Sequence, residues 1–250
     1  MKKSLKIGIA VCLMMAAGLV QAQTPVQTLP SFDRIITSPH VSLVLVAGEQ
    51  EGIRLEYQNI EPEKVNYPVR DKTLHIYLDD ARITDKQRKW KEGDREYKRS
   101  IYDAGVKVIA YVTYRQLKSL QIRGEEEVTC KDELTSDAFR LQVFGQSTVN
   151  LKGLKAKALK VKLYGENKVT IQSGRADRQQ YRIYGENRLD TENLTGETVS
   201  AHSYGDSQLR VYASDRIGVM AFGESDIRYA GGGSLRKGLV IGEVKIHQTQ

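Results

Sequence analysis

Cysteine is almost missing from this chain. Its 250 residues hold two, Cys12 and Cys130, and Cys12 falls in an apolar leader, which leaves one thiol for the folded protein. A single thiol closes no disulfide within the chain and builds no cysteine metal cluster, so Cys130 reads as a buried structural thiol. Beyond the leader no stretch is long and apolar enough to span a bilayer. A strong charge of one sign is absent as well. The net charge of +7 falls to +4 once Lys2, Lys3 and Lys6 leave with residues 1–22, too mild to argue for a nucleic-acid partner. The histidines, at 40, 75, 202 and 247, are scattered, and no nucleophile motif accompanies them.

The leader itself is legible. Lys2, Lys3 and Lys6 precede the short apolar run Ile7–Val20, and Val20-Gln21-Ala22 offers a small-residue cleavage site before Gln23. Residues 1–22 therefore read as a signal peptide. The expected address is the periplasm, the outer membrane or the cell surface. The remaining 228 residues (250 − 22) are enough for one sizeable core.

What is abundant is a repeat. Leu159–Ile171 reads LKVKLYGENKVTI, and its centre returns closely at Tyr184-Gly185-Glu186-Asn187. Looser copies stand at Phe144-Gly145-Gln146-Ser147, Tyr204-Gly205-Asp206-Ser207 and Phe222-Gly223-Glu224-Ser225. Glycines at 124, 145, 165, 185, 205, 223 and 242 are spaced by 21, 20, 20, 20, 18 and 19 residues. Such a period marks a stack of one small unit. Apolar residues alternate before each glycine (Leu159, Val161, Leu163) and after it (Val169, Ile171), the signature of strands with one buried face. Each repeat thus reads as strand, tight Gly-x-Asn/Ser corner, strand and polar loop, the glycine suiting a positive φ.

Twenty residues are too few for a helical crossover, so the units coil and pair in parallel about 4.8 Å apart. The hexapeptide marker of left-handed helices and the leucine-rich register are both absent. The expectation is an all-β fold, a right-handed parallel β-helix of about 20 residues per coil. Regular coils occupy 121–247. Residues 23–120 supply irregular first coils and a β cap, with strands at Arg34–Thr37, Val41–Ala47 and Ile53–Tyr57 and a hairpin turning at Arg70-Asp71-Lys72.

Stacking sets like above like. Phe144, Tyr164, Tyr184, Tyr204 and Phe222 form an aromatic column that either faces outward as a flat ladder for sugar rings or packs to shield the corner. Gln146, Glu166, Glu186, Asp206, Glu224 and Glu243 form a mostly acidic column. A calcium ion would relieve its repulsion, but Lys168 and Arg188 stand two positions on and the Asp-bearing nonapeptide of calcium rolls is missing, so neither metal nor cofactor is expected. A carbohydrate-active site drawn from Arg182, Glu186, Arg188, His202 and Asp206 is the third reading, opposed by the recurrence of Gly-Glu-Asn in successive coils where an active site needs a unique departure.

Residues 79–104 break the period. Eight cations, among them Arg88 and Lys89, are interleaved with Trp90, Tyr97 and Tyr102 against seven anions. A flap gripping an anionic glycan or lipid headgroup is the functional reading; the near balance of charge favours a solvated excursion.

The opening Phe32-Asp33-Arg34-Ile35, the hairpin end Thr73-Leu74-His75-Ile76, the Val106–Leu120 strand pair and the Gly-x-Asn/Ser coils resemble an exported bacterial family, the putative auto-transporter adhesin, head GIN domain. The likeness runs over about residues 30–247, with the 79–104 insertion as the departure. It implies a right-handed β-helix, an envelope or surface location of the Bacteroidetes type and an adhesin-like role, with no catalytic residues to carry over. The expected partners are a glycan, a lipid headgroup or a surface protein, with coil edges able to pair two molecules. Candidate binding residues are the five rings, Glu166, Glu186, Asp206, Arg88, Lys89 and Trp90; Gly145, Gly165, Gly185, Gly205 and Gly223 are corner residues.

Overall fold

The computed structural model describes residues 25–93, 95–102 and 105–249. The expected signal peptide, with Cys12, lies outside them. Among the described residues there is no α-helix; one 3₁₀ turn at Pro62–Lys64 interrupts a chain of strands.

Those strands coil into a parallel β-solenoid. Before each corner the strand face runs Ser119–Gly124, then 140–145, 160–165, 180–185, 199–205 and 217–223, each paired in parallel with the next. After each corner 127–130, 148–151, 168–171, 187–190, 207–212 and 225–230 stack in the same way. Inward side chains of both faces form one core: Leu141 and Val143, Val161 and Leu163, Val149 and Leu151, Val169 and Ile171 are all buried. Cys130 joins them, its thiol pushed upward in pKa mainly by burial. Tyr181 is the widest buried side chain, and its hydroxyl is satisfied by Gln179 Oε1 at 2.6 Å and Thr191 Oγ1 at 2.9 Å.

The polar loop expected between repeats is instead a third paired side. Leu134 registers with Leu154, which registers with Gly174, which registers with Leu194. The three leucines are buried among lysines, aspartates and arginines that point out. Proline helps by its position: all five stand before residue 69, so no regular coil loses a ladder N–H.

The first coils do not stack in chain order. Arg34–Thr37 pairs with Thr73–Leu78 on one side and with Ser119–Gly124 on the other, all parallel. Val41–Ala47 likewise lies between Lys107–Tyr114 and residues 128–130. The coil made of 73–78 and 107–114 therefore sits outside the coil made of 34–47. Gly52–Gln58 closes its edge by antiparallel pairing, and Gln27–Thr28 pairs onto that strand in turn. Asp71 and Lys72, both at positive φ, turn the Val69–Arg70 and Thr73–Leu78 hairpin. The insertion leaves after Leu78 and returns before Lys107, in the place where other coils have their glycine corner. It is a hairpin, Gln87–Glu92 against Arg95–Ser100, in a sheet of its own.

Candidate functional site

The corner organises the outer surface. Gly145, Gly165, Gly185, Gly205 and Gly223 have φ between +99° and +120°, a region that side chains with a Cβ rarely enter. Space forbids a side chain too, since a Cβ at Gly165 would lie 2.2 Å from the Gly145 carbonyl oxygen. Two residues on, the small polar residue turns inward and replaces the missing ladder bonds. Asn187 Oδ1 accepts the Asn167 N–H at 3.0 Å, and Asn187 Nδ2 donates to the Tyr184 carbonyl at 3.0 Å. Asn167 does the same for Ser147 and Tyr164.

One residue before each glycine the alternation points the ring outward. Phe144, Tyr164, Tyr184, Tyr204 and Phe222 are half-buried and stacked, with centroids 4.9 to 5.1 Å apart and planes within 5°. The column faces out, but it is not a flat platform. Each inner ring turns its faces to its neighbours, so the surface shows ring edges and tyrosine hydroxyls.

Beside the rings on the same face stand Arg140 and Lys160 in one row and Gln142, Lys162, Arg182 and His202 in the next. These rows carry no carboxylate. Burial, then the Arg182 charge, lowers the His202 pKa. Beyond the corner, Glu166, Glu186 and Asp206 are exposed and share a shallow groove with Lys168 and Arg188. Among the described residues no group of three His, Cys, Asp or Glu side chains is placed to hold a metal ion. The five residues weighed for catalysis fall into two groups on different faces, Glu186, Arg188 and Asp206 along the corner groove and Arg182 beside His202 on the ring face.

Arg88, Lys89 and Trp90 lie together on the insertion hairpin. Trp90 registers with Tyr97 and stacks on it at 5.5 Å and 16°, both exposed. Arg88 opposes Arg99, and Lys89 opposes Lys98. Strand alternation puts Arg88 on the ring side and Lys89 on the reverse.

The cleft where the hairpin base meets the first corners is a feature of the tertiary structure alone. His40, at φ +69°, occupies the corner of the 34–47 coil. Its Nε2 meets Asp85 Oδ2 at 2.7 Å, and Ser100 Oγ donates to that same oxygen at 2.6 Å. The half-buried Glu126 carboxylate accepts the His40 and Glu125 backbone N–H groups. Its pKa is raised, burial being the main cause. The serine serves the carboxylate rather than the imidazole, so no hydroxyl nucleophile is paired with a base here. A direct Ser–His contact does occur nearby, Ser38 Oγ and His75 Nε2 at 3.2 Å; it is buried at its serine, whose proton goes to the Arg82 carbonyl at 2.6 Å. Such long-range pairs leave no local signal.

A parallel β-solenoid with glycine corners and an outward ring column defines the structural class. Within it, the chain belongs to the family described as putative auto-transporter adhesin, head GIN domain, which matches residues 31–233. Solved structures agree on the fold. A putative adhesin from Bacteroides fragilis has a TM-score of 0.72 at 17% identity, over 93% of this chain and 98% of that one. A putative adhesin from Parabacteroides distasonis has a TM-score of 0.67 at 16% identity, over 92% and 98%. A putative lipid binding protein, also from Parabacteroides distasonis, has a TM-score of 0.60 at 13% identity, over 92% and 96%. No curated protein matches the chain. Among the described residues no helix is long and apolar enough to cross a membrane.

Proposed function

We propose that this is an exported, adhesin-like protein that binds an anionic glycan, without catalysis, along the solenoid face bearing the ring column. The observation that carries the reading is the composition of that face. Arg140, Lys160, Lys162 and Arg182 stand beside five stacked rings, with no carboxylate in the rows between. Cations spaced by the coil repeat suit a ligand with repeated negative charge, and ring edges with hydroxyls add hydrogen bonds and apolar contact. Membership of an adhesin family supports a binding role. The test is retention on uronate-, sulfate- and phosphate-bearing polysaccharides. Lys162→Glu with Arg182→Glu lowers retention about tenfold or more, leaves the melting temperature near that of the parent, and makes residual binding less salt-sensitive. Unchanged retention would overturn the proposal.

A second reading has its own observation. The exposed Trp90–Tyr97 pair has Arg88 and Arg99 on its own face of the hairpin, while Lys89 and Lys98 on the reverse pair with Glu96; rings beside cations have the composition of an interfacial contact for anionic headgroups, and one structural neighbour carries a lipid-binding description. Co-sedimentation with vesicles of anionic lipid, with and without residues 80–103, separates the two. Loss of vesicle binding with polysaccharide retention intact assigns the hairpin to lipid.

A further inference from the structure

The outward column that carries the rings does not begin at Phe144. Arg123 registers with Phe144, Ile122 with Thr37 and Thr37 with Ile76, so one step further along the ladders Tyr77, Ser38 and Arg123 fall in line with the rings. Ser38 has no ring to offer. Its buried Oγ donates instead to the Arg82 backbone carbonyl at 2.6 Å, and Arg123 Nη1 donates to the same oxygen at 3.5 Å. The exposed Arg82 side chain lies with its guanidinium 5.2 Å over the Tyr77 ring. Arg123, half-buried, is held by the Gln121 amide oxygen, which is turned toward it and takes Nε at 2.9 Å and Nη2 at 2.7 Å. One hydrogen on each Nη stays unspent.

Two guanidiniums thus head the column, and among the described residues neither is ion-paired with a carboxylate. The nearby acids are committed elsewhere, Asp85 Oδ2 to His40 and Ser100 and Glu126 to backbone N–H groups. The Arg123 pKa is lowered, by burial and then by the Arg82 charge, and both charges bear on His75 as well. A partly desolvated pair of like charges without a counter-ion calls for an anion.

We propose that Arg82 and Arg123 bind a tetrahedral oxyanion, the phosphate or sulfate group of an esterified sugar whose ring lies along the adjoining ring edges. Each guanidinium is a fork for two oxygens. A carboxylate fills one fork, whereas an ester of this type has three free oxygens and reaches both. The inference deepens the anionic-glycan reading and rests on it only for the direction of the ligand, down the face toward Arg140, Lys160 and Lys162.

Calorimetric titration of the purified protein at fixed ionic strength with glucose 6-phosphate, glucose 6-sulfate and glucuronate tests it. Both esters saturate the site, and glucuronate binds at least about tenfold more weakly. Arg82→Gln, which alters an exposed side chain and keeps its backbone contacts, weakens the esters about tenfold. Arg123→Lys keeps the charge but loses the fork, and the preference for ester over glucuronate falls to about twofold or less. Sulfate alone, compared with chloride, raises the His75 pKa read from its ring resonances, by offsetting the two charges that help to hold it down. Lys162→Glu with Arg182→Glu leaves ester binding within about threefold of the parent. If the parent fails to hold any polysaccharide while the esters still bind, the wider reading falls and this site stands. Glucuronate matching the esters, no saturation by either ester, full ester affinity in Arg82→Gln or an unmoved His75 would each overturn the assignment.

Discussion

Tyr164 and Tyr184 stack at 4.9 Å with planes 2° apart, while Trp90 and Tyr97 stack at 5.5 Å and 16°. The chemistry is similar and the support is not. Behind Tyr164 and Tyr184 lie a strand paired on both sides, a buried Leu163 or Ile183 one residue back and an Asn three residues on that holds the ring residue's own carbonyl. Behind Trp90 there is one partner strand and solvent. The first stack is ordered by the backbone before any ligand arrives, so binding there pays little ordering entropy. The second owes its geometry to the two rings themselves. Pre-organisation, more than aromatic content, separates a scaffold surface from an adaptable one.

The sharpest way to break the solenoid side of that contrast is at the glycine. Gly165→Val forces a β-branched residue to φ +108° and drives its Cβ into the Gly145 carbonyl. Strain and clash together destabilise by about 3–5 kcal/mol, a fall in melting temperature on the order of 10 °C. A variant melting with its parent would mean that successive coils do not lie directly upon one another.

Next in size is the amide that ties ring to corner. Asn187→Ala strips the buried Asn167 N–H of its acceptor and the half-buried Tyr184 carbonyl of a donor. Unmade buried hydrogen bonds of this kind are worth about 2 kcal/mol in total. Asn187→Ser should recover part of that loss, because Ser207 holds the equivalent place one coil on by donating to the Gly185 carbonyl at 3.1 Å. Equal melting of the alanine and parental proteins would deny the ladder any stabilising role.

The parts of this arrangement that depend on repetition were readable in advance. The glycine spacing implied parallel coils, and the period-two alternation that buries Leu163 sends Tyr164 outward. Four features resisted for identifiable reasons. The third side of each coil hid because its inward leucines, Leu134, Leu154 and Leu194, stand singly among charged residues and show no alternation. The inverted order of the first coils hid because Arg34–Thr37 accepts Thr73–Leu78 and Ser119–Gly124 equally well by pattern, and only tertiary pairing decides. The cleft hid because its key contact joins His40 to Asp85, 45 residues apart in sequence. Alternation in the insertion hairpin was masked too, since both its faces are charged and neither meets a core.

Acid separates the half-buried first coils from the exposed hairpin. Burial, with Arg82 and Arg123 nearby, lowers the His75 pKa from 6.5 to about 4. The folded protein thus keeps His75 neutral where the unfolded chain takes up a proton. Its stabilising contribution is complete above pH 6.5, is lost as the pH falls toward 4, and changes little below that. His75 is only half-buried, so the effect is modest. Melting the parent and His75→Gln from pH 7.5 to 4 should show a gap between them that changes across this window. Parallel curves would place the imidazole in open solvent.

The smallest expected change is at Trp90, and there the comparison is most useful. Trp90 is 44% exposed and Tyr97 37%, on a hairpin that shares no ladder with the solenoid. Trp90→Ala removes one exposed ring pair and should leave global melting within about 0.5 kcal/mol of the parent. Tyr184→Ala breaks two stacked contacts in the column and should destabilise by about 1 kcal/mol or more. On anionic vesicles the order should invert if the hairpin is the lipid contact, Trp90→Ala losing binding while Tyr184→Ala keeps it. Equal destabilisation by the two substitutions would show that the hairpin is packed as firmly as the coils, and the distinction between built and free rings would fall.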